Sequence, residues 1–227
     1  MKFEFSIRDA LKESWQIFTA HPWYFIVLAF VSLILNLVSR GEHILIAVLV
    51  IIASIIWGYV WVSSSLAAVD GKDDMLKFSM IEKHLPSFKQ FWKLIAVGVL
   101  SGLIIIAGTI LLVIPGLYFM IKLSFANLAF VDRQGKITDA LKYSWNITKG
   151  SRQFWKTVLV MVTIIGLVIL GLIALGVGIL IAYPLAMLLI AKLYRALEQQ
   201  MPVNEVVIQP EEIPAHTEET PVEPVQS

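Results

Sequence analysis

Residues 157–191 read TVLVMVTIIGLVILGLIALGVGILIAYPLAMLLIA, 35 consecutive positions without a charged side chain. A helix needs ~20 apolar residues to cross the ~30 Å of hydrocarbon in a bilayer. The run is too long for one crossing and long enough for two, with a break expected near Gly176-Val-Gly178 or slightly later at Tyr183-Pro184. Upstream, Trp23–Val38 is uncharged and short, and Ile44–Val69 is uncharged and long; Arg40-Gly-Glu-His43 separates them. Leu94–Ile114 is uncharged, Pro115-Gly116 reads as a turn, and Leu117–Val131 follows with Lys122 as its one charge. Eight Leu, Ile, Phe and Val residues in this last segment favour insertion by roughly 0.3–0.6 kcal/mol each, against about 2.5–3.5 kcal/mol for a central Lys. The segment is therefore expected to insert together with its neighbour. The count is about six crossings arranged as three hairpins.

Composition agrees. The chain has 227 residues, 58% of them hydrophobic and 15% charged, with a mean hydropathy of +0.78. Soluble domains carry about 25% charged residues, so this chain lacks the polar groups to coat a globule. That excludes a disordered chain and argues against a soluble enzyme of this size. The formal net charge of +1 hides an asymmetry, because residues 1–197 hold 18 basic and 10 acidic groups while seven acids lie from Glu198 onward. Residues 201–227 are Pro-rich and acidic, and read as a disordered tail to a helical membrane domain spanning 1–200. There is no Cys, hence no disulfide framework, thiolate metal site or thiol nucleophile. The first twenty residues mix acids and bases, unlike a cleavable signal peptide.

Repeats organise the membrane domain. Ile7-Arg-Asp-Ala-Leu-Lys-Glu-Ser-Trp-Gln-Ile17 matches Ile137-Thr-Asp-Ala-Leu-Lys-Tyr-Ser-Trp-Asn-Ile147 at eight of eleven positions, with a weaker copy at Asp74-Met-Leu-Lys-Phe-Ser-Met80. Gln90-Phe-Trp-Lys93 recurs as Gln153-Phe-Trp-Lys156, and Leu66-Ala-Ala-Val-Asp70 as Leu128-Ala-Phe-Val-Asp132. Three units follow, at about 6–70, 74–132 and 137–198. Each is predicted to begin with an amphipathic helix: Ile7, Leu11, Trp15 and Phe18 fall on one face of the first, and Ile137, Leu141, Ser144, Trp145 and Thr148 on one face of the third. Ser6 with Asp9 resembles a capping box, and Gly150 is a candidate left-handed stop.

Setting Lys122 aside, sixteen Lys and Arg residues fall on the side of the amphipathic segments and only Arg40 on the other. The positive-inside rule then puts both termini in the cytoplasm and makes the repeats parallel. The expected fold class is thus all-α and integral to the membrane. Its three parallel hairpin repeats are each preceded by a cytoplasmic amphipathic helix.

Two sets of residues are candidates for function. Lys12, Trp15, Lys77, Lys142, Trp145, Lys149 and Arg152 suit an interface with lipid, the lysines facing anionic headgroups and the tryptophans at headgroup depth. The reading favoured for the same segments is as elbows that seat each hairpin and pack on the helix ends, a role compatible with the lipid contact. Lys122, Ser63, Ser64 and Ser65 are candidate intramembrane polar residues. Lys122 lies seven residues past Pro115, about 10 Å along a helix, so its ammonium is expected to snorkel to the outer interface. Gly98 and Gly102 suit close helix packing. Asp70, Asp73 and Asp74 read as a solvated turn, the alternative being a cation site. The four His residues have no metal-ligand spacing, and no phosphate loop or nucleophile elbow occurs, so no enzyme and no cofactor are expected. Basic charge is spread over every inner loop, which argues against nucleic acid and for the lipid bilayer as partner, anionic lipids in particular. Protein partners are left open.

Ile114-Pro-Gly-Leu-Tyr118, Lys122-Leu-Ser-Phe-Ala126, Val131-Asp132, Asp139-Ala-Leu-Lys-Tyr-Ser-Trp145 and Thr148-Lys-Gly150 stand in one block. That block, strongest over residues 88–175, resembles a broad family of poorly characterised bacterial multi-pass membrane proteins. The family includes the membrane domain attached to some glycerophosphodiester phosphodiesterases. The resemblance implies a helical domain in a bacterial cell membrane. It does not carry the phosphodiesterase chemistry, which belongs to a separate barrel of ~250 residues. The expectation is a non-enzymatic membrane protein that organises lipids or partner proteins at the cytoplasmic face. The alternative is a small transporter or lipid-translocating protein with a cavity between hairpins.

Overall fold

In a computed structural model, residues 5–38, 44–173 and 178–201 are described. The Arg40–His43 loop, the first part of the Gly176–Gly178 break and the 202–227 tail lie outside them. The described residues are all-helical: α1 (Ile7–Ala20), α2 (Pro22–Val38), α3 (Ile44–Val69), two 3-10 helices (Asp73–Leu76 and Phe78–His84), α4 (Phe88–Leu111), α5 (Val113–Leu123), α6 (Ala126–Arg133), α7 (Ile137–Ile147), α8 (Ser151–Ile173) and α9 (Ile179–Glu198). Five spans are long and apolar enough to cross a membrane: α3, α4, α5 with α6, α8 and α9. A sixth is counted when α1 and α2, joined at 94°, are taken together. Their outward faces are apolar. Ile110, Leu111 and Ile114 are 78–80% exposed, which in water would be a costly contiguous patch and in hydrocarbon costs nothing.

The central element is α9. Half of its most apolar window is buried, against 11% for α4 and 17% for α8, so α9 is the post and α4 and α8 present the most surface to lipid. Leu188, Leu189, Leu193 and Tyr194 of α9 are fully enclosed. On one side they meet Phe125, Phe130 and Ile147, and on the other Phe25, Leu28, Val60 and Trp61.

The ends of these helices follow local chemistry, and several differ from expectation. Ser6 Oγ accepts from Asp9 N at 3.3 Å and caps α1. At α4 the backbone N–H of Ser87 donates to Gln90 Oε1 at 2.8 Å, so the recurring Gln sits in the first turn of a spanning helix. The turn after α4 falls at Leu112, which is extended (φ −166°, ψ 145°), and Pro115-Gly116 belongs to the first turn of α5. Proline is harmless there because first-turn N–H groups have no intrahelical acceptor. Pro184, by contrast, lies past the first turn, inside α9, where it forgoes the bond to the Leu180 carbonyl; Gly178 precedes the helix, at the earlier of the two expected break positions. Gly150 is not the left-handed stop. Among the described residues positive φ occurs at Gly71 (70°) and at Gln134 (50°), which closes α6. A Cβ on Gly98 or Gly102 would meet nothing within 4 Å, whereas one on Gly116 would lie 2.8 Å from Thr109 Cα. Close approach of helices thus occurs at Gly116, and Gly98 faces open space.

The second amphipathic segment is not an α-helix. In the first and third copies the buried pair is Ala10 with Ser14 and Ala140 with Ser144; Trp15 of the expected stripe is 47% exposed. In the second copy Met75 stands in the alanine position, and Ser79, in the serine position, is exposed. Without that small-residue face the chain folds as 3-10 turns, and Pro86 disfavours helix at the residue before it.

Candidate functional site

Three polar constellations stand out, and each begins with a local sequence feature. The first lies where α3, α6 and α9 end. Their last turns carry Asp70, Asp132 and Glu198, and Arg195 of α9 engages all three. Its Nε and Nη2 donate to the two oxygens of Asp70 at 2.8 Å each, Nη1 and Nη2 to those of Asp132 at 2.9 and 2.7 Å, and Nη1 to Glu198 Oε2 at 2.7 Å. The four side chains are only 16–22% exposed, and fork geometry suits guanidinium specifically. Arg133 adds a bond to Glu198 and one to the Tyr143 hydroxyl at 3.0 Å, with its guanidinium 4.2 Å from that ring. Tyr194 donates to Asp132 Oδ2 at 3.0 Å. Burial, reinforced by the Glu198 carboxylate, pushes the Tyr143 hydroxyl up to about 12. This hub was missed in the sequence because its members are 62 or more residues from their main partners. The available signal was the echo that ends both Leu66–Asp70 and Leu128–Asp132 on an acid.

The second constellation surrounds Lys122. It does not snorkel to an outer surface; it is 3% exposed and donates to the Thr148 carbonyl at 2.5 Å. That carbonyl belongs to the C-terminal end of α7, the negative pole of the helix. Rings of Tyr118, Trp145 and Phe154 stand 5.5, 5.4 and 5.9 Å from the ammonium, within cation–π range. Next to it the α5–α6 break is stitched by Ser144, which donates to Lys122 O at 2.7 Å and accepts from Phe125 N at 3.2 Å. The repeated serine therefore satisfies backbone groups that the break releases. Its counterpart Ser14 is equally buried, but its hydroxyl has no partner.

The third is the Ser63–Ser65 run. Ser63 Oγ lies 2.7 Å from His84 Nδ1, and His84 Nε2 lies 3.1 Å from Met75 O. Ser64 Oγ is 2.8 Å from the Tyr24 hydroxyl, and Ser65 Oγ is buried without a partner. Lys122 and these serines thus bond to separate elements and are not brought together. His84, fully buried, ties the 3-10 segment to α3.

The interface candidates present a different picture. Lys12, Lys142, Lys149 and Arg152 are exposed and form no ion pair among the described residues. Trp15 is 47% and Trp145 36% exposed. Lys77 differs, being held 2.8 Å from Asp74; the pair raises the lysine's pKa and lowers the aspartate's. Asp73 stands 3.5 Å from His21. With Asp70 on Arg195, the three aspartates do not converge, and no group of three or more His, Asp or Glu side chains among the described residues could hold a metal ion. Exposed tryptophans also mark the starts of α2, α4 and α8, where Trp23, Trp92 and Trp155 are 75, 56 and 67% exposed.

The described residues are all-helical, with several helices of membrane-spanning length. No family model, curated protein or solved structure matches the chain, and nothing links it to the membrane domain attached to glycerophosphodiester phosphodiesterases.

Proposed function

We propose that this protein is a non-enzymatic, multi-pass scaffold of a bacterial cell membrane. Its spans form three parallel hairpins, its termini are cytoplasmic, and its interface helices gather anionic lipid at the cytoplasmic face. One observation carries the lipid reading: Lys12, Lys142, Lys149 and Arg152 are exposed cations with no carboxylate partner among the described residues, beside part-exposed Trp15 and Trp145. Cations paired within the fold would have no charge to offer a headgroup. The 94° angle between α1 and α2 suits a helix lying along the membrane plane when α2 crosses it. The meeting of Asp70, Asp132 and Glu198 on Arg195 supports hairpins that all return to one side.

The test uses the full chain in maltoside micelles, titrated with phosphatidylglycerol and with phosphatidylcholine. Each lysine near an anionic surface contributes about 1 kcal/mol. Replacing Lys12, Lys142 and Lys149 by Gln should weaken phosphatidylglycerol binding by about tenfold or more and leave phosphatidylcholine unaffected. Unchanged phosphatidylglycerol binding rejects those lysines as the lipid contact. Orientation is checked separately by single cysteines on this Cys-free background: one at position 72 or 135 should react only after permeabilisation.

A further inference from the structure

At the end of the bundle away from Arg195, α2, α3 and α9 enclose a crevice. It has two neighbouring parts, of about 400 and 160 Å³, which share Ser32, Asn36 and Tyr183 in their walls. The combined size falls within the range of ordinary ligand sites. Among the described residues, no Asp, Glu, Lys, Arg or His lines either part, so from these walls an ionic ligand would gain no countercharge to offset its lost hydration. One wall is apolar, with Leu33, Leu37 and Leu180.

The lining also holds polar side chains, whose hydrogen-bond capacity is unevenly used. Ser32 Oγ is saturated: it accepts from Trp57 Nε1 and Trp61 Nε1, each at 2.9 Å, and donates to Leu28 O at 2.9 Å. Tyr183 packs its ring edge-on to Trp61 at 4.9 Å, yet its hydroxyl makes no hydrogen bond among the described residues. The same holds for the Ser54 hydroxyl on α3. Polar groups at membrane depth are costly when unpaired, and two hydroxyls with unused bonding capacity in a crevice whose described lining carries no charge form half of a recognition site.

We infer that this crevice binds an uncharged lipid whose head carries a hydroxyl, the alkyl chain lying against Leu33, Leu37 and Leu180 and the head bonding to Tyr183 and Ser54. The site is distinct from the cationic interface proposed above, and either can fail without the other.

The test is photolabelling of the full chain in maltoside micelles with a diazirine-bearing monoacylglycerol, mapped by peptide mass spectrometry. The diazirine fatty acid of equal chain length is the charged comparison. Label should concentrate on residues 29–37 and 179–183. Tyr183→Phe keeps the ring packing and removes one neutral hydrogen bond, so labelling at a fixed low probe concentration should fall about fivefold. Leu33→Trp, which fills the crevice, should abolish it. Equal labelling of wild type and Tyr183→Phe overturns the inference. So does labelling by the fatty acid as strong as by the monoacylglycerol, or label spread evenly over α4 and α8.

Discussion

Replacing Arg195 tests whether the three helix ends are held together by one side chain. In Arg195→Met, Asp70, Asp132 and Glu198 lose five hydrogen bonds of 2.7–2.9 Å. The carboxylates then face one another at 16–22% exposure. Removing one partner from a buried ion pair costs about 3–5 kcal/mol; residual solvent access argues for the lower end, about 3 kcal/mol. At roughly 2–4 °C per kcal/mol for a chain of this size, the apparent melting point should fall about 6–12 °C, read by tryptophan emission in maltoside micelles. Arg195→Lys should recover only part, because an ammonium cannot fork across two carboxylates. Adding Asp70→Asn and Asp132→Asn to Arg195→Met should recover stability, since the stranded charges are removed. The exposed Asp74–Lys77 pair is the internal control, and Asp74→Asn should move the melting point by no more than about 1 °C. If Arg195→Met shifts it no further than that control, the hub does not hold the bundle.

Two more predictions exploit the repeats and the hub. Ser144→Ala strands Lys122 O and Phe125 N and should cost about 1–3 kcal/mol, while Ser14→Ala at the matching position removes a hydroxyl that has no partner and should be neutral or stabilising; equal melting points for the two would refute the assigned roles. Tyr143, held up to about 12 from an ordinary 10.0, keeps its proton longer folded than unfolded, so its contribution is full below pH 10 and lost as pH rises through about 12. Melting followed from pH 9 to 12 should fall less steeply in Tyr143→Phe than in wild type, and parallel curves would show that this phenol does not titrate with unfolding.

What was legible in the sequence is what has a short range. The long uncharged runs announce spanning helices because crossing length is a count along the chain. The Asp-Ala-Leu-Lys-x-Ser-Trp echo announces α1 and α7 because amphipathic spacing is local. Its weaker copy misled, since Met75 in place of alanine changes what the segment can press against its neighbour. Pro115 reads as a turn yet sits in the first turn of α5, where no intrahelical N–H is needed, and of the two expected breaks in the last run the one at Gly176–Gly178, not the one at Pro184, precedes α9. Lys122 was legible as an anomaly but not in its solution, because the Thr148 carbonyl that receives it lies 26 residues away. Arg195 was invisible for the same reason: none of its bonds to Asp70 or Asp132 spans fewer than 63 residues.

The hub and the interface candidates are linked through charge economy. Residues 1–197 carry 18 bases and 10 acids, and the fold draws several of the acids inward. Asp70 and Asp132 close on Arg195, while Glu13 accepts from Lys192 at 2.6 Å. Asp70 and Asp132, 21 and 16% exposed, are withdrawn from the exterior, whereas Glu13, 58% exposed, stays outside and neutralises Lys192. A surface that served solubility alone would intersperse both signs. Here Lys12, Lys142, Lys149 and Arg152 are left outside without carboxylates among the described residues. The same inward pairing that gathers three helix ends leaves these cations unbalanced, and Arg195→Met releases three acids from it. Anionic lipid binding should then weaken even though no interface lysine has been touched.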